Sequence, residues 1–378
     1  MKKFKPITKS RIEVVDALRG FALMGVLFAN VPIGGEYFAT GIFDELISFL
    51  TDLLISQKFI TIFSILFGFG FYSQVSRAEK SEVNFNSYFL KRMALLFIIG
   101  TIHCFVLWNG DIIMSYALGG VFLLLIRNWS IKKTLILAII FNIVLTGIIF
   151  IGNSALEWQV YDYDYGLALV WPTTNSYLEY LKVNFIIAPW VNFLKDMPIT
   201  LVYTFGNMLI GVILGKINFF RFPERLKKLT NRLIFLGFSI GIASSYFFHQ
   251  IITGAIELDI PMLWVPFVLA AGMILQSLGY ISLFVRLHQK KLFIKMLEWF
   301  KYTGKAALSN YILQSAFYLI VFFHCTNAFK LFGKLTLGET YVIAFFFFLF
   351  QSFISYLWLK RNDQGPIEFW WKKMSYKE

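Results

Sequence analysis

The chain has 378 residues and a formal net charge of +13, and 58% of its residues are hydrophobic whereas only 15% are charged. No soluble domain of this size needs so much apolar surface, so the composition excludes a soluble protein. Apolar runs of about 16–20 residues recur along the chain, and this is the length of a helix that spans a bilayer. The sequence therefore predicts a polytopic membrane protein.

The predicted fold is all-α, because hydrocarbon offers no partner for backbone amides and the apolar runs lack the alternation of barrel strands. We predict about ten membrane-spanning helices, which form a single transmembrane domain over residues 1–378. Their predicted positions are 16–34, 58–76, 89–108, 111–127, 134–152, 199–215, 230–252, 261–285, 305–325 and 338–359.

Lysine and arginine are concentrated in every second loop between these spans, and the remaining loops are acidic or nearly neutral. The positive-inside rule places the basic loops and both termini in the cytoplasm. This bias accounts for most of the net charge, so the expected partner is a lipid bilayer and not a nucleic acid. The oligomeric state is not determined, and a homodimer remains open.

The first span carries Asp16 and Arg19 near its predicted cytoplasmic end, at a spacing that places both on one helix face. The arginine could bind a phosphate group through two hydrogen bonds. The alternative is an ion pair that reaches the membrane interface. Lys91 and Arg92, which precede the third span, have the same two interpretations, as ligands of an anion or as determinants of topology.

Two segments fall outside the predicted spans. Residues 42–56 repeat apolar side chains at helical spacing but include three acids, which predicts an amphipathic helix on the outer surface. Residues 153–198 form the longest predicted extracytoplasmic segment and are rich in tyrosine, tryptophan and aspartate. That composition suits contact with a polar substrate, and an interfacial aromatic belt is the alternative.

His103 and Asp111 stand on either side of the "WNG" turn between the third and fourth spans. A tight helical hairpin would bring their side chains together, with Tyr116 about one turn further along. Histidine exchanges protons near neutral pH, and a nearby carboxylate fixes its tautomer, so His103 is predicted to be a general base oriented by Asp111. The alternatives are a plain N-cap for Asp111 and a hydrogen bond to a carbonyl group for His103.

The stretch "TGKAALSNYILQS", residues 303–315, begins the predicted ninth span with polar and small residues. Its polar side chains recur at helical spacing and are Asn310, Tyr311, Gln314 and Ser315. A polar stripe in lipid must face protein or a water-filled cavity, so we expect either a substrate site or hydrogen bonds between helices.

Other kinds of site are not indicated. Cys104 and Cys325 are the only cysteines and are isolated, so no disulfide framework or metal motif is predicted, and no metal is expected. The chain has no P-loop, GxGxxG, HExxH or GxSxG pattern, which argues against a nucleotide-driven pump and a serine hydrolase.

Five stretches carry a resemblance to a known group. They are "DALRGFALMGVLFAN", "KFITIFSILFGFGF", "KRMALLFIIGTIHCFVLWNGDIIMSYALGG", "GKAALSNYILQS" and "QGPIEFWWK". In this order they resemble the YeiB-like bacterial membrane proteins, whose C-terminal half, here residues 204–378, is catalogued as domain of unknown function 418. That group is similar to the transmembrane acyltransferases, which include heparan-alpha-glucosaminide N-acetyltransferase.

The resemblance implies a protein of the bacterial plasma membrane that takes an acyl group from cytoplasmic acetyl-CoA or another acyl-CoA. The implied acceptor is a sugar on the far side of the membrane. The related polysaccharide O-acetylating enzymes have a histidine near the outer end of the first helix, where this chain has Asn30. Their catalytic histidine therefore cannot be transferred by position, and His103 is the remaining candidate.

We therefore expect a transmembrane acyltransferase that acts on an extracytoplasmic hydroxyl or amine. Its candidate site residues are His103, Asp111 and Tyr116 for catalysis, Asp16, Arg19, Lys91, Arg92 and Lys305 for the donor, and Asn30, Asn310, Tyr311 and Gln314 for the acceptor. The alternative is a proton-coupled transporter or flippase in which His103, Asp111 and Asp16 carry protons. A third interpretation is an accessory protein whose polar groups only join helices.

Overall fold

A computed structural model describes residues 12–31, 41–79, 85–149, 151, 173–190, 196–256 and 263–375. These ranges consist of helices and turns and contain no strand. The predicted all-α class is therefore confirmed for the part of the chain that is described.

Fifteen α-helices organise the described residues. They are α1 (Glu13–Ala29), α2 (Ile42–Leu54), α3 (Lys58–Ala78), α4 (Phe85–Val106), α5 (Ile113–Ile126), α6 (Ile131–Ile139), α7 (Tyr177–Trp190), α8 (Met197–Lys216), α9 (Lys227–Leu236), α10 (Ile242–Ile252), α11 (Val265–His288), α12 (Lys291–Lys305), α13 (Ala307–Val321), α14 (Leu337–Leu359) and α15 (Pro366–Ser375). Wider π-helical turns extend α6 over Ile140–Leu145 and join α9 to α10 over Gly237–Gly241.

Seven helical segments in the described ranges are long and apolar enough to cross a membrane. They are Ile42–Ala78, Phe85–Val106, Ile131–Ile149, Met197–Lys216, Pro223–Ile251, Val265–His288 and Leu337–Leu359. Helices α5 and α13 are apolar but shorter. The described part of the chain is thus all-helical, as expected of a multi-pass membrane protein, and the predicted number of ten spans is not confirmed.

The largest departure from the predicted elements is around residue 305. A span is predicted over 305–325, whereas the structure has helix α12 up to Lys305, a break at Ala306 and a new helix, α13. Charged and apolar side chains recur at helical spacing along α12, "KLFIKMLEWFKYTGK", which is typical of a surface helix. A search for long apolar runs therefore misses it.

Glycines let two helix pairs approach closely. A Cβ atom on Gly20 of α1 would lie 1.9 Å from the carbonyl oxygen of Phe300 in α12, and one on Gly304 would lie 1.8 Å from that of Asp16. Gly68 of α3 and Gly211 of α8 are similarly close to the facing backbone. Only glycine permits such contacts between helices. The pairs α1–α12 and α3–α8 are therefore fixed by backbone packing, and they position the walls of the site.

Candidate active site

His103 and Asp111 meet across the hairpin of α4 and α5, as the short connection predicts. The Nδ1 atom of His103 lies 2.7 Å from Oδ2 of Asp111. The two side chains are 1% and 0% exposed. Because a buried carboxylate needs donors for its oxygen atoms, this contact assigns the imidazole proton to Nδ1.

Asp111 stands one residue before Ile112, the N-cap position of helix α5, and its side chain also caps this helix. Its Oδ1 atom accepts a hydrogen bond of 2.8 Å from the backbone N–H of Met114. Asp111 therefore has both of the roles predicted from the sequence, because one carboxylate oxygen contacts His103 and the other caps α5. Gly100 leaves the room for this arrangement, because a Cβ atom there would lie 2.8 Å from the Met114 nitrogen and 3.0 Å from Oδ1.

A third residue, Ser315 of α13, completes the group. Its Oγ atom lies 2.8 Å from Nε2 of His103, although the two residues are 212 positions apart in the chain. With the Nδ1 proton directed to Asp111, Nε2 carries the lone pair and accepts the hydrogen bond from the serine hydroxyl. Asp111, His103 and Ser315 thus have the connectivity of an Asp–His–Ser triad.

A cavity of ≈ 280 Å³ lies between α1, α3, α4, α5, α13 and α15. One end, which we call the mouth, is lined by four basic side chains: Arg19, Arg92, Lys305 and Lys372. The inner wall is largely apolar and includes Leu23, Val26, Phe63, Phe67, Met93 and Leu96. Among the described residues, Glu368 is the one acidic side chain on the wall. The shape and charge suit a ligand with an anionic head and a slender apolar arm.

Helix α15 forms one side of the mouth. The guanidinium group of Arg92 lies 3.7 Å from the centroid of the Trp371 ring, and the Trp371 indole donates a 2.8 Å hydrogen bond to the Arg92 carbonyl oxygen. The Glu368 carboxylate accepts hydrogen bonds from the backbone N–H groups of Leu308 and Ser309 at 2.6 and 3.2 Å. Glu368 thus caps the N-terminus of α13, where a negative charge is favoured.

The inner end of the cavity is formed by Tyr311, Tyr116 and Ile112. The Tyr311 and His103 rings are 5.2 Å apart, and neither His103 nor Ser315 lines the cavity. Tyr311 therefore separates the triad from the cavity. The Tyr116 hydroxyl is 2.7 Å from Ser64 in α3, so it is directed away from His103.

Of the other residues predicted to bind the acyl donor or the acyl acceptor, some line the cavity and some do not. Arg19 lines the mouth and forms a 3.0 Å ion pair with Asp16, whereas Lys91 is exposed and does not line the cavity. Asn30 ends α1 and is also absent from the cavity wall.

Asn310 and Gln314 bond to neighbouring helices. Asn310 Nδ2 donates to the Thr303 carbonyl at 2.9 Å, and Gln314 Nε2 donates to Gln351 Oε1 at 3.0 Å. Both side chains are buried and do not line the cavity. Of the two predicted roles, they therefore have the hydrogen bonds between helices and not the substrate site.

Part of the predicted segment 153–198 lies against the triad end of α4. Residues 152–172 and 191–195 lie outside the described residues. In α7, the hydroxyls of Tyr177 and Tyr180 donate to the carbonyls of Val106 and Leu107 at 2.7 and 2.8 Å. Burial raises the pKa of Tyr177, so this hydroxyl keeps the proton that it donates. Helix α7 thereby covers the last turn of α4.

A second His–Asp pair lies elsewhere. His249 of α10 binds Asp52 of α2 through Nδ1 at 2.9 Å, and Ser56 donates a 3.0 Å hydrogen bond to the other Asp52 oxygen. The two side chains of this pair are 15% and 19% exposed and do not line the cavity. No group of three His, Cys, Asp or Glu side chains that could hold a metal occurs among the described residues.

The sequence reasoning named Ser315 only as one member of a polar stripe, and it missed Glu368 and Trp371 as site residues. Ser315 follows Tyr311 by four positions and so lies on the same helix face, which is a usable signal. The stretch "QGPIEFWWK" contributes to the resemblance, but nothing in its composition indicates contact with a distant helix.

Comparisons with known proteins agree with the sequence motifs. Residues 214–378 match the family described as "Protein of unknown function (DUF418)", and the match begins within α8 instead of at the predicted residue 204. The chain is 28% identical to "Uncharacterized protein YxaH" of Bacillus subtilis, over 98% of this chain and 95% of the relative. It is 25% identical to "Uncharacterized protein YeiB" of Escherichia coli, over 96% and 95%. No solved structure matches significantly. These matches support the predicted resemblance to YeiB-like proteins, with the DUF418 match in the C-terminal part of the chain.

Proposed function

We propose that this protein is a membrane acyltransferase that moves an acetyl or similar acyl group from a cytoplasmic acyl-CoA to an extracytoplasmic hydroxyl or amine. The acceptor class that we favour is a glycan or small glycoside. The observation that carries the proposal is a cavity with a basic mouth and an apolar wall whose inner end lies against the Asp111–His103–Ser315 group.

The mouth supplies the charge that a coenzyme A head requires. Arginine binds phosphate through two parallel hydrogen bonds, and lysine binds it as a point charge. Arg19, Arg92, Lys305 and Lys372 provide both kinds of group around one opening. Arg92 is also held against the Trp371 ring, so its position is fixed before a ligand arrives.

The wall behind the mouth suits the pantetheine arm. Gly70 lies on the wall near the mouth, where the absence of a side chain leaves room, and Phe63 and Phe67 line the cavity further in. Along α4, the residues from Arg92 to His103 correspond to about 16 Å of helix. A donor whose phosphates bind at the mouth therefore presents its thioester near Tyr311. Rotation of the Tyr311 ring would then expose the triad to it.

The charge distribution sets the orientation that we propose. By the positive-inside rule, the mouth and both chain termini would lie on the cytoplasmic side of the bacterial plasma membrane. The end of α4 that α7 covers then faces the opposite side, from which the acceptor would approach. His103, which is 1% exposed, lies close to this end, and the proposal requires that the acceptor gain access to it from there.

A second candidate function is a proton-coupled transporter or flippase. The observation that favours it is that His103 is 1% exposed and closed off from the cavity by Tyr311, as in a buried proton relay. A protein of this class, in liposomes that contain a pH-sensitive dye, would move protons when substrate is added. Proton movement that His103→Ala abolishes, together with no use of acetyl-CoA, would favour transport.

Ligand-dependent stability tests the donor site first. The detergent-purified protein is heated with and without coenzyme A or acetyl-CoA, because a ligand that binds only the folded form raises the unfolding midpoint. We expect stabilisation of the wild type, loss of it in Arg19→Ala, and retention of it in the control Arg77→Ala, whose guanidinium group does not line the cavity. No stabilisation of the wild type at millimolar acetyl-CoA would contradict the proposal.

A further inference from the structure

Ser315 contacts the one ring nitrogen of His103 that Asp111 does not contact. One ring nitrogen contacts Asp111 at 2.7 Å, and the other contacts Ser315 at 2.8 Å. A neutral imidazole has one nitrogen lone pair, and in His103 that lone pair accepts a hydrogen bond from the Ser315 hydroxyl. An acceptor substrate therefore cannot transfer its proton to His103 directly while Ser315 is in place.

The cavity-facing side of α13 leads to the same residue. Leu308 and Tyr311 of this helix line the cavity. Ser315 is four positions after Tyr311, so it lies on the same face one turn further from the mouth. It is 6% exposed, whereas Asn310 and Gln314 on the adjacent face bond to other helices. A donor that entered past Tyr311 would therefore meet the Ser315 hydroxyl.

We infer that Ser315 is the nucleophile and is transiently acylated, so that transfer proceeds through an acyl-serine intermediate. This inference rests on the proposed acyltransferase function and specifies its mechanism. Asp111 and His103 then act as in the Asp–His–Ser triad, in which the histidine activates the serine and the aspartate holds the histidine tautomer.

In the first half-reaction, the Ser315 oxygen forms a bond to the thioester carbonyl carbon of acyl-CoA while its proton passes to Nε2 of His103. The carbon–sulfur bond then breaks, and the departing thiolate takes the proton from Nε2 and leaves as coenzyme A. The products are an ester on Ser315, a neutral His103 and a free thiol, so charge and protons balance.

In the second half-reaction, the acceptor hydroxyl or amine gives its proton to Nε2 as its oxygen or nitrogen attacks the ester carbonyl carbon. The bond between that carbon and the Ser315 oxygen breaks, and the serine oxygen takes the proton back from Nε2. No oxidant, reductant or metal is needed. The two steps also allow coenzyme A to leave before the acceptor binds.

The experiment is to trap the intermediate on the full chain. The purified protein is incubated with acetyl-CoA and no acceptor, quenched in acid and analysed by peptide mass spectrometry, while released thiol is measured in parallel. We expect a burst of about one thiol per protein and an acetyl group on Ser315. Acid preserves an oxygen ester and hydrolyses an acetyl-imidazole, so a second quench at neutral pH tests for acetyl-His103.

Variants separate a catalytic role from a structural one. Ser315→Ala should abolish both burst and label and lower transfer about 1,000-fold or more, whereas Ser315→Cys should restore labelling as a thioester. The matched control is Ser282→Ala, which removes a buried hydroxyl of α11 that has no hydrogen-bond partner among the described residues. Stabilisation by acetyl-CoA should persist in all three and shows that each is folded.

The outcomes distinguish the inference from the function on which it rests. A burst or undiminished transfer in Ser315→Ala, or a label on His103 alone, would overturn the acyl-serine and leave an acyltransferase with a direct or acyl-histidine route. A wild type that neither binds nor consumes acetyl-CoA would overturn the proposed function and the inference together.

Discussion

Two His–Asp pairs occur in this structure, and they differ in what surrounds them. His103 and His249 both bind an aspartate through Nδ1, at 2.7 and 2.9 Å. In the first pair, a serine hydroxyl contacts the other nitrogen of the imidazole. In the second, the serine hydroxyl contacts the carboxylate of Asp52 instead.

The surroundings differ as strongly as the hydrogen bonds. The His103 and Asp111 side chains are 1% and 0% exposed and lie behind the inner end of a cavity, whereas those of His249 and Asp52 are 15% and 19% exposed and join α2 to α10. A His–Asp pair is therefore not a catalytic site by itself. It becomes one when a nucleophile binds the second nitrogen and a substrate cavity lies within reach.

Replacing each of the two histidines with alanine tests the difference between the two pairs most directly. His103→Ala should lower acyl transfer by about 10,000-fold, because it removes the base that activates Ser315. His249→Ala should leave transfer within about twofold of wild type, since its pair does not line the cavity. Initial rates with acetyl-CoA and a glycoside acceptor measure both, and equal losses would show that the distinction is wrong.

The aspartates give the next largest contrast. Asp111→Asn keeps an oxygen for the Met114 N–H but presents an amide donor to Nδ1, which reverses the histidine tautomer. We expect transfer to fall about 1,000-fold while the fold is retained. Asp52→Asn serves as the control and should keep at least about half the wild-type rate, since it affects only the second pair. Unchanged transfer in Asp111→Asn would exclude an orienting role.

Donor binding should also distinguish the two pairs, because only the first pair lies near the cavity with the basic mouth. Arg19→Ala should raise the KM for acetyl-CoA about tenfold with a smaller change in kcat, since the proposed phosphate contact would be the same in ground and transition states. Steady-state kinetics at saturating acceptor test this, with Arg77→Ala as control. A fall in kcat at constant KM would place Arg19 in the chemical step instead.

The smallest expected effect concerns the serine of the second pair. Ser56→Ala removes a hydrogen bond to Asp52 and should lower the free energy of unfolding by about 1 kcal/mol. The unfolding midpoint should therefore fall by about 2 °C, with transfer unchanged. A large loss of transfer in Ser56→Ala would mean that the two pairs are coupled.

The contact between His103 and Asp111 was predictable because it is local. A short polar turn between two apolar helices leaves few arrangements, and both residues stand within about one and a half turns of it. The all-α class was predictable for a similar reason, since a bilayer permits few other structures. In both cases the sequence and the solvent limit the choices before tertiary packing is considered.

The rest of the site depends on helix rotation, which the sequence does not specify. Asn310, Tyr311, Gln314 and Ser315 form one polar stripe, yet the structure directs only Tyr311 and Ser315 toward His103. Which side of α13 faces α4 is set by its packing against other helices and by the Glu368 cap. Tyr116 shows the same limit, because it lies on the predicted helix but its hydroxyl contacts α3.

The triad joins parts of the chain that are synthesised at different times. His103 and Asp111 belong to the first third of the chain, and Ser315 follows His103 by 212 positions. Since helices of a nascent membrane protein emerge and pack in chain order, the histidine and aspartate enter the bilayer before Ser315. Helix α15, which caps α13 through Glu368, emerges later than α13. A ribosome-bound or truncated chain therefore lacks the complete Asp111–His103–Ser315 group, and under the proposed function unfinished copies would not consume acyl-CoA.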